Sequence, residues 1–336
     1  MGICESSNLI DVKQQNNRNN IDKTITSASS HVKHYTYPDD IPVETIEYIE
    51  DINNSISQNP LAINNEILFS DTDQEVEEIF QKIELLGNGP FGEVWVVKHK
   101  QLEKQYAMKI INQRPNHDFN KVKNLLDDLN KLDVKYLLKI LQMHITKDKS
   151  YIIIDYCPEG NLNNKILEKK IFTEEELNIF YLYRVLKGIK YLHLVGLYHN
   201  NIKPQNIMLL NGKIKLMDYW MFLLFPENNN NIAFDNSLIY KSPEESKGNY
   251  TETSDLWSFG IIMFIMLIGE PPFQGNNIQE LLKAKKNEQY DTNSERYLNL
   301  SKSAKKLISK LLKFNPEERI KVREAINHRW FLNAIK

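Results

Sequence analysis

The chain has 336 residues, enough for a domain of two lobes plus an extension, and its 41% hydrophobic and 26% charged residues are ordinary for a soluble globular protein. A net charge of −2 argues against a nucleic-acid partner and against strong attraction to an anionic membrane surface. The two cysteines, Cys4 and Cys157, stand far apart, which excludes a disulfide framework and fits a reducing, cytoplasmic setting.

Residues 1–78 read as a mostly disordered extension, with Asn-rich patches (Gln14 to Asn20), a Ser/Thr patch (Thr24 to Ser30) and few aromatics. Such a segment cannot bury enough apolar surface to offset its ordering entropy. Ile41 to Ile49 is a candidate short helix within it. From Phe80 the pattern changes. Ile83-Glu-Leu-Leu-Gly and Val94-Trp-Val-Val flank a glycine turn and predict a strand hairpin; Tyr106-Ala-Met-Lys-Ile-Ile predicts a third strand. Phe119 to Leu132 has helical spacing, and Tyr151 to Asp155 reads as a buried strand that breaks at Pro158 and Gly160. Helices follow over Glu174 to His193, Thr253 to Ile268, Ile278 to Asn287, Lys302 to Phe314 and Val322 to Arg329. The longest apolar run, Phe259 to Gly269, is too short for a bilayer, which needs roughly 20 apolar residues, and reads as a core helix. Strands first and helices after predict an α+β architecture of two lobes with a cleft between them, 79–157 and 158–333.

Gly87-Asn88-Gly89-Pro-Phe-Gly92-Glu-Val94 is G-x-G-x-x-G-x-V between two strands. Glycines let the backbone approach a phosphate with its amides turned inward, though a plain hairpin turn would look the same. Lys109 on the next strand, in Ala107-Met-Lys109, raises the signal. So do the later motifs in order: Ile202-Lys203-Pro204-Gln205-Asn206, Ser254-Asp255-Leu-Trp257-Ser-Phe-Gly260, Gly269-Glu-Pro-Pro-Phe273 and Asn327-His328-Arg-Trp330-Phe. In these motifs the chain, over nearly all of Phe80 to Leu332, resembles the eukaryotic protein kinases, most nearly the calcium-dependent and calmodulin-dependent Ser/Thr kinases.

The resemblance implies the two-lobed kinase fold, with ATP and Mg²⁺ held in the cleft. Lys109 would pair with the α- and β-phosphates, while Asp218 and Asn206 would hold the metal. Val94, Ala107 and Met208 would sandwich adenine, and Ile154, Asp155 and Cys157 would form the hinge; core packing is the plain alternative for the apolar ones. Glu244, in Ser242-Pro243-Glu244, would pair with Arg319, and Asp255 would orient the catalytic loop through backbone amides.

That loop departs from the family pattern. It reads His199-Asn200-Asn201-Ile202-Lys203, so Asn201 stands where the family has the aspartate that accepts the substrate proton. An amide has no useful basicity near neutral pH, although its carbonyl oxygen can still aim a hydroxyl. Asn200 replaces the arginine that reads activation-loop phosphorylation, and Met221 to Lys241 holds only Ser237 as a Ser/Thr hydroxyl. The glutamate expected to anchor Lys109 falls at Leu125, or at Asn124 one residue away, with Asp127 and Asp128 on other helix faces. Asp218-Tyr219-Trp220 replaces D-F-G, which adds bulk where a glycine pivots. Pro90 removes one N–H from the phosphate loop. Asn161 and Gln205 stand where basophilic relatives carry acids.

Asp71-Thr-Asp73 begins like a calcium-binding loop, but Val76 occupies the position of its turn glycine, so no calcium sensor is expected. Met1-Gly2-Ile3-Cys4-Glu5-Ser6 matches a myristoylation pattern at Gly2, with Cys4 placed for palmitoylation and hence membrane association. Three readings stay open. One is a nucleotide-binding pseudokinase acting through a regulated partner kinase. Another is a Ser/Thr kinase of protein substrates, in which Asn201 positions the hydroxyl and Lys203 stabilises the moving phosphoryl. The third is a scaffold that binds no nucleotide.

Overall fold

The computed structural model describes residues 66–70, 72–89, 92–112, 124, 127, 135–224 and 236–332. Residues 1–65, including Ile41 to Ile49 and the proposed lipidation sites Gly2 and Cys4, lie outside the described residues.

A six-stranded sheet forms the first part, in the order β1-β5-β6-β4-β3-β2. Its strands are β1 (Glu66–Phe69), β2 (Phe80–Gly89), β3 (Gly92–His99), β4 (Gln105–Ile111), β5 (Ile140–Ile145) and β6 (Ser150–Asp155). All neighbours are antiparallel except β1, which runs parallel to β5 at the edge. The central strands are buried on both faces. Along β4, Ala107 and Ile111 enter the large core, whereas Tyr106, Met108 and Ile110 enter a smaller one on the other face with Tyr151 and Ile153. Side chains alternate with a period of two, so a strand buried on both sides must be apolar throughout, as Tyr151 to Ile154 is.

Helix α1 (Asp73–Ile79) closes the smaller core through Val76, which is fully buried. The helix starts at an N-cap, Thr72, whose side chain accepts from the Glu75 amide. Structure therefore begins ahead of the expected boundary at 79. Val76, which spoils the calcium-loop pattern, is instead the apolar peg of a helix. Strand β5 has no counterpart among the predicted elements, because Gln142 and His144 interrupt its apolar run. His144 is nevertheless fully buried, with Ser70 Oγ at 3.4 Å from its Nδ1.

Helices dominate the second part. Helix α2 (Leu162–Lys169) precedes a continuous run of α3 (Glu174–Glu176), a π-helical stretch (Leu177–Leu182) and α4 (Tyr183–Leu194). The predicted helix over Glu174 to His193 thus carries a wide turn, and there Asn178 donates to the Trp330 carbonyl at 2.6 Å. A hairpin, β7 (Ile207–Leu210) and β8 (Lys213–Leu216), then leads to α5 (Met221–Leu224). Helix α6 (Glu252–Ile268) is buried from Thr253 to Ile268, and from Phe259 onward it is apolar all round, as a core helix is. Around it follow α7 (Ile278–Lys286), α8 (Glu295–Asn299), α9 (Lys302–Leu311), α10 (Val322–Ile326) and α11 (Arg329–Leu332). Among the described residues no helix is long and apolar enough to cross a membrane. The predicted helix over 119–132 lies outside the described residues except for Asn124 and Asp127, both helical.

Candidate active site

Strand register builds one wall of the site. Val94 pairs with Lys109, Lys109 with Ile152, and Ala107 with Ile154. The two-residue period puts Ala107 and Lys109 on one face of β4. Gly87, Asn88 and Gly89 are exposed at the end of β2, with Gly89 opposite Gly92. Gly92 has φ +126°, and a Cβ there would sit 1.9 Å from the Ile110 carbonyl oxygen, so the fold itself requires glycine. A Cβ on Gly87 or Gly89 would meet none of the described residues within 4 Å. Glycine at those two positions leaves bare backbone facing open space, as a phosphate cradle needs. Pro90 lies outside the described residues.

At the end of β6, Ile154 is buried and Asp155 turns outward, 3.7 Å from Lys104 Nζ. Cys157 is buried, and burial pushes its thiol up to about 12, so it is a neutral packing group and not a nucleophile. Met208 on β7 is half-buried and bridges to Asn161. Asn161 itself caps α2, accepting from the Asn164 amide at 3.1 Å.

Opposite the wall, Lys109 Nζ donates to Asp218 Oδ2 at 2.6 Å, with both residues buried. Asp218 has φ +66°, a costly conformation for a residue with a side chain, and its buried Oδ1 has no hydrogen-bond partner among the described residues. The Met217 amide donates to the Asn206 carbonyl at 3.0 Å, which fixes Asn206 next to this segment. An orphaned carboxylate oxygen on Asp218 and the side-chain amide oxygen of Asn206 are hard-oxygen donors of the kind that fit Mg²⁺. Among the described residues no group of three or more His, Cys, Asp or Glu could hold a metal alone. A site completed by phosphate oxygens would need only these two side chains.

The catalytic loop hangs from Asp255 in the first turn of α6. Its carboxylate accepts from the His199 amide at 2.9 Å and the Asn200 amide at 2.9 Å, and shares a 2.8 Å bond with His193 Nε2. Burial works against the Asp255 charge, but these bonds prevail and hold the carboxyl below its ordinary range. Asn200 takes φ +57°. Asn206 Nδ2 donates to the Asn201 carbonyl at 2.9 Å, and Lys203 is half-buried two residues further on. His199 is fully buried, and burial lowers its pKa, so the ring is neutral. The Trp220 indole, expected to add bulk beside the metal position, is fully buried in the large core instead. It meets Tyr219 edge-on at 4.8 Å and leads directly into α5. Leu125 and Asp128 lie outside the described residues; Asn124 is exposed and Asp127 half-buried.

Glu244 and Arg319 form a bidentate pair at 2.6 and 3.0 Å. Arg319 also donates to the carbonyls of Thr253, Lys313 and Phe314, and Ser254 Oγ donates to Glu244. Two residues that sequence reasoning passed over, Lys285 and Glu245, are also buried close by. For Lys285 there was a faint signal, since it stands four residues after buried Leu281 on the apolar stripe of α7.

A protein kinase domain model matches residues 80–331. Calcium-dependent protein kinase 5 of Plasmodium berghei is 30% identical over 298 residues, covering 84% of this chain and 52% of that protein. Its Plasmodium falciparum namesake is 31% identical over 255 residues, covering 73% and 44%. A probable myosin light chain kinase of Dictyostelium discoideum is 28% identical over 256 residues, covering 74% and 81%. The chain thus spans about half the length of the calcium-dependent relatives it matches.

Proposed function

The chain belongs to the protein kinase family, and on that premise we propose that it binds ATP with Mg²⁺ but transfers phosphate poorly or not at all. In this reading it signals through a partner, such as a kinase it regulates, at a membrane. The observation that carries the reading is the amide of Asn201 where the family places its proton acceptor, in a loop otherwise kept in order by Asp255. Around it the nucleotide side keeps its parts. Lys109 would hold the phosphates, Asp218 and Asn206 would hold the metal, and Val94, Ala107 and Met208 would flank adenine from the β-sheet and β7 sides. The metal would neutralise phosphate charge when bound. The chain's own contribution is to position, through bare backbone at Gly87 and Gly89 and an ammonium fixed on β4.

A slow but real Ser/Thr kinase is the rival reading, favoured by the clamped catalytic loop and by the direct contact of Lys109 with Asp218. Phosphoryl transfer has a loose transition state, so positioning and charge retain some rate without a base. The nucleotide-free scaffold has lost one support, because the Trp220 indole packs into the core. Membrane attachment rests on Gly2 and Cys4 alone, and Gly2→Ala should move the chain from the membrane to the soluble fraction.

Phosphate transfer by the purified chain, with Asn201→Asp and Lys109→Ala beside it, tests the main reading. Restoring a positioned base should raise transfer by about 10²–10⁴-fold. Brisk wild-type turnover that Lys109→Ala abolishes would mean that the amide suffices and the pseudokinase reading fails.

A further inference from the structure

The stretch from the short turn Asn236–Ile239 to Ser242 precedes Pro243-Glu244 and corresponds in order to the end of the activation segment. Its backbone is held by side chains from several directions. Lys285, in the last turn of α7, is 2% exposed, and its ammonium donates to the Leu238 carbonyl at 2.7 Å and the Lys241 carbonyl at 2.6 Å. Ser258 Oγ on α6 donates to the carbonyl between them, that of Tyr240, at 2.8 Å. One residue on, the Ser242 amide donates to Glu245 Oε2 at 2.6 Å, and Ser242 Oγ accepts from the Glu245 amide at 3.4 Å.

A lysine buried this deeply is costly unless its protons find acceptors, and here two of the three are aimed at carbonyls. Bonds from a charged donor are about twice as strong as neutral ones. Burial works against the ammonium and, with Lys241 adding to it, lowers its pKa to about 8, while the carboxylates of Glu245 and Glu244 favour the charge. Other polar groups on α7 lie at the surface, so this one lysine is set apart from its neighbours Lys283 and Lys286. Packing alone would be served by an apolar residue on the stripe that carries Leu281.

We propose that Lys285 is a positioning residue that fixes residues 238–242 from within the chain, so that this segment is held in order without prior phosphorylation. The resemblance assigns the reading of an added phosphate to an arginine, and Asn200 occupies that position. Lys285 supplies a positive charge to the same segment from the opposite side in sequence, and its acceptors are backbone carbonyls that are always present. The inference does not depend on nucleotide binding or on phosphoryl transfer.

The test is hydrogen exchange on the purified, unphosphorylated full chain, comparing 236–247 with α6. The wild type should exchange slowly across Tyr240 to Gly248 before any phosphate is added. Lys285→Met should accelerate this segment by about 10–100-fold while α6 stays protected. Lys285→Gln, which keeps a shorter donor, should fall between, and it carries the test if the methionine variant does not fold. Fast exchange in the unphosphorylated wild type would overturn the proposal. So would wild-type rates in both variants, or equal acceleration of the segment and α6, since the lysine would then support the whole domain and position nothing in particular.

Discussion

Two buried ion pairs lie in the same chain and have opposite character. Glu244 and Arg319 are saturated: the guanidinium makes two bonds to the carboxylate and three to carbonyls, and its carbon sits 5.1 Å from the Trp257 ring centroid. Lys109 and Asp218 meet through one carboxylate oxygen; the other has no hydrogen-bond partner among the described residues, and Asp218 sits in a left-handed backbone. A structural lock uses every valence, because desolvated charge is expensive. An unsatisfied buried oxygen is the exception, and it is one that the metal site proposed above would use.

The sharpest way to break the comparison is to remove the cation from each pair. Arg319→Ala should strand Glu244 and orphan the carbonyls, costing about 3–5 kcal/mol in denaturant unfolding. Burial alone would raise the Glu244 pKa; the Arg319 guanidinium outweighs it and holds the carboxyl below its usual value. That stabilisation is present above the ordinary carboxylate range and is lost as pH falls through the depressed value, so the variant's deficit should shrink in acid. An Arg319→Ala protein as stable as the wild type would mean that the pair contributes nothing despite its geometry.

If Lys109 holds phosphate as proposed above, Lys109→Ala should behave differently and lose the response to that ligand. A ligand of the folded state at a hundredfold excess over its Kd stabilises by about 2.7 kcal/mol. The wild type should gain on this scale from ATP with Mg²⁺, and the variant should gain little. If both shift equally, the lysine is not a phosphate ligand and the pair is a second lock.

The same contrast explains what was legible in the sequence. Tyr151 to Asp155 and Tyr106 to Ile111 declared themselves as strands because burial on both faces favours apolar residues, with Lys109 the buried exception and Asp155 at the outward end. The motif residues could be placed because glycine, lysine and aspartate are tied to chemistry at fixed spacing. Other features depended on partners distant in the chain. Helix α1 is short and mostly acidic, and only Val76 reaching the smaller core makes sense of it. Strand β1 exists by pairing with β5, more than seventy residues away in sequence, and β5 was itself disguised by His144. Trp220 could be read only as bulk, because whether an indole faces a site or a core is decided by the backbone turn that starts α5. Lys285 looked like one more solvated lysine in Leu-Leu-Lys-Ala-Lys-Lys.

Glu245 offers the finest probe, since it is another buried carboxyl, without the bidentate guanidinium of Glu244 or the lysine contact of Asp218. Burial pushes its pKa up to about 7, with the Asp255 charge adding to this, while the bonds from Ser242 and the charge of Lys241 pull the other way. Lys285 faces it from α7, and Tyr250 lies within its field. A carboxyl raised above its ordinary value of 4.5 favours the folded state fully below that value and loses the benefit as pH rises through about 7. Glu245→Gln is neutral at every pH and keeps an oxygen for the Ser242 amide. The variant should therefore match the wild type near pH 4.5 and become the more stable of the two as pH rises, by about 3 kcal/mol above pH 8. Melting curves of both proteins at several pH values read this directly. A difference that stays flat with pH would mean that Glu245 ionises as freely in the fold as in water, and that the segment it clasps is open to solvent.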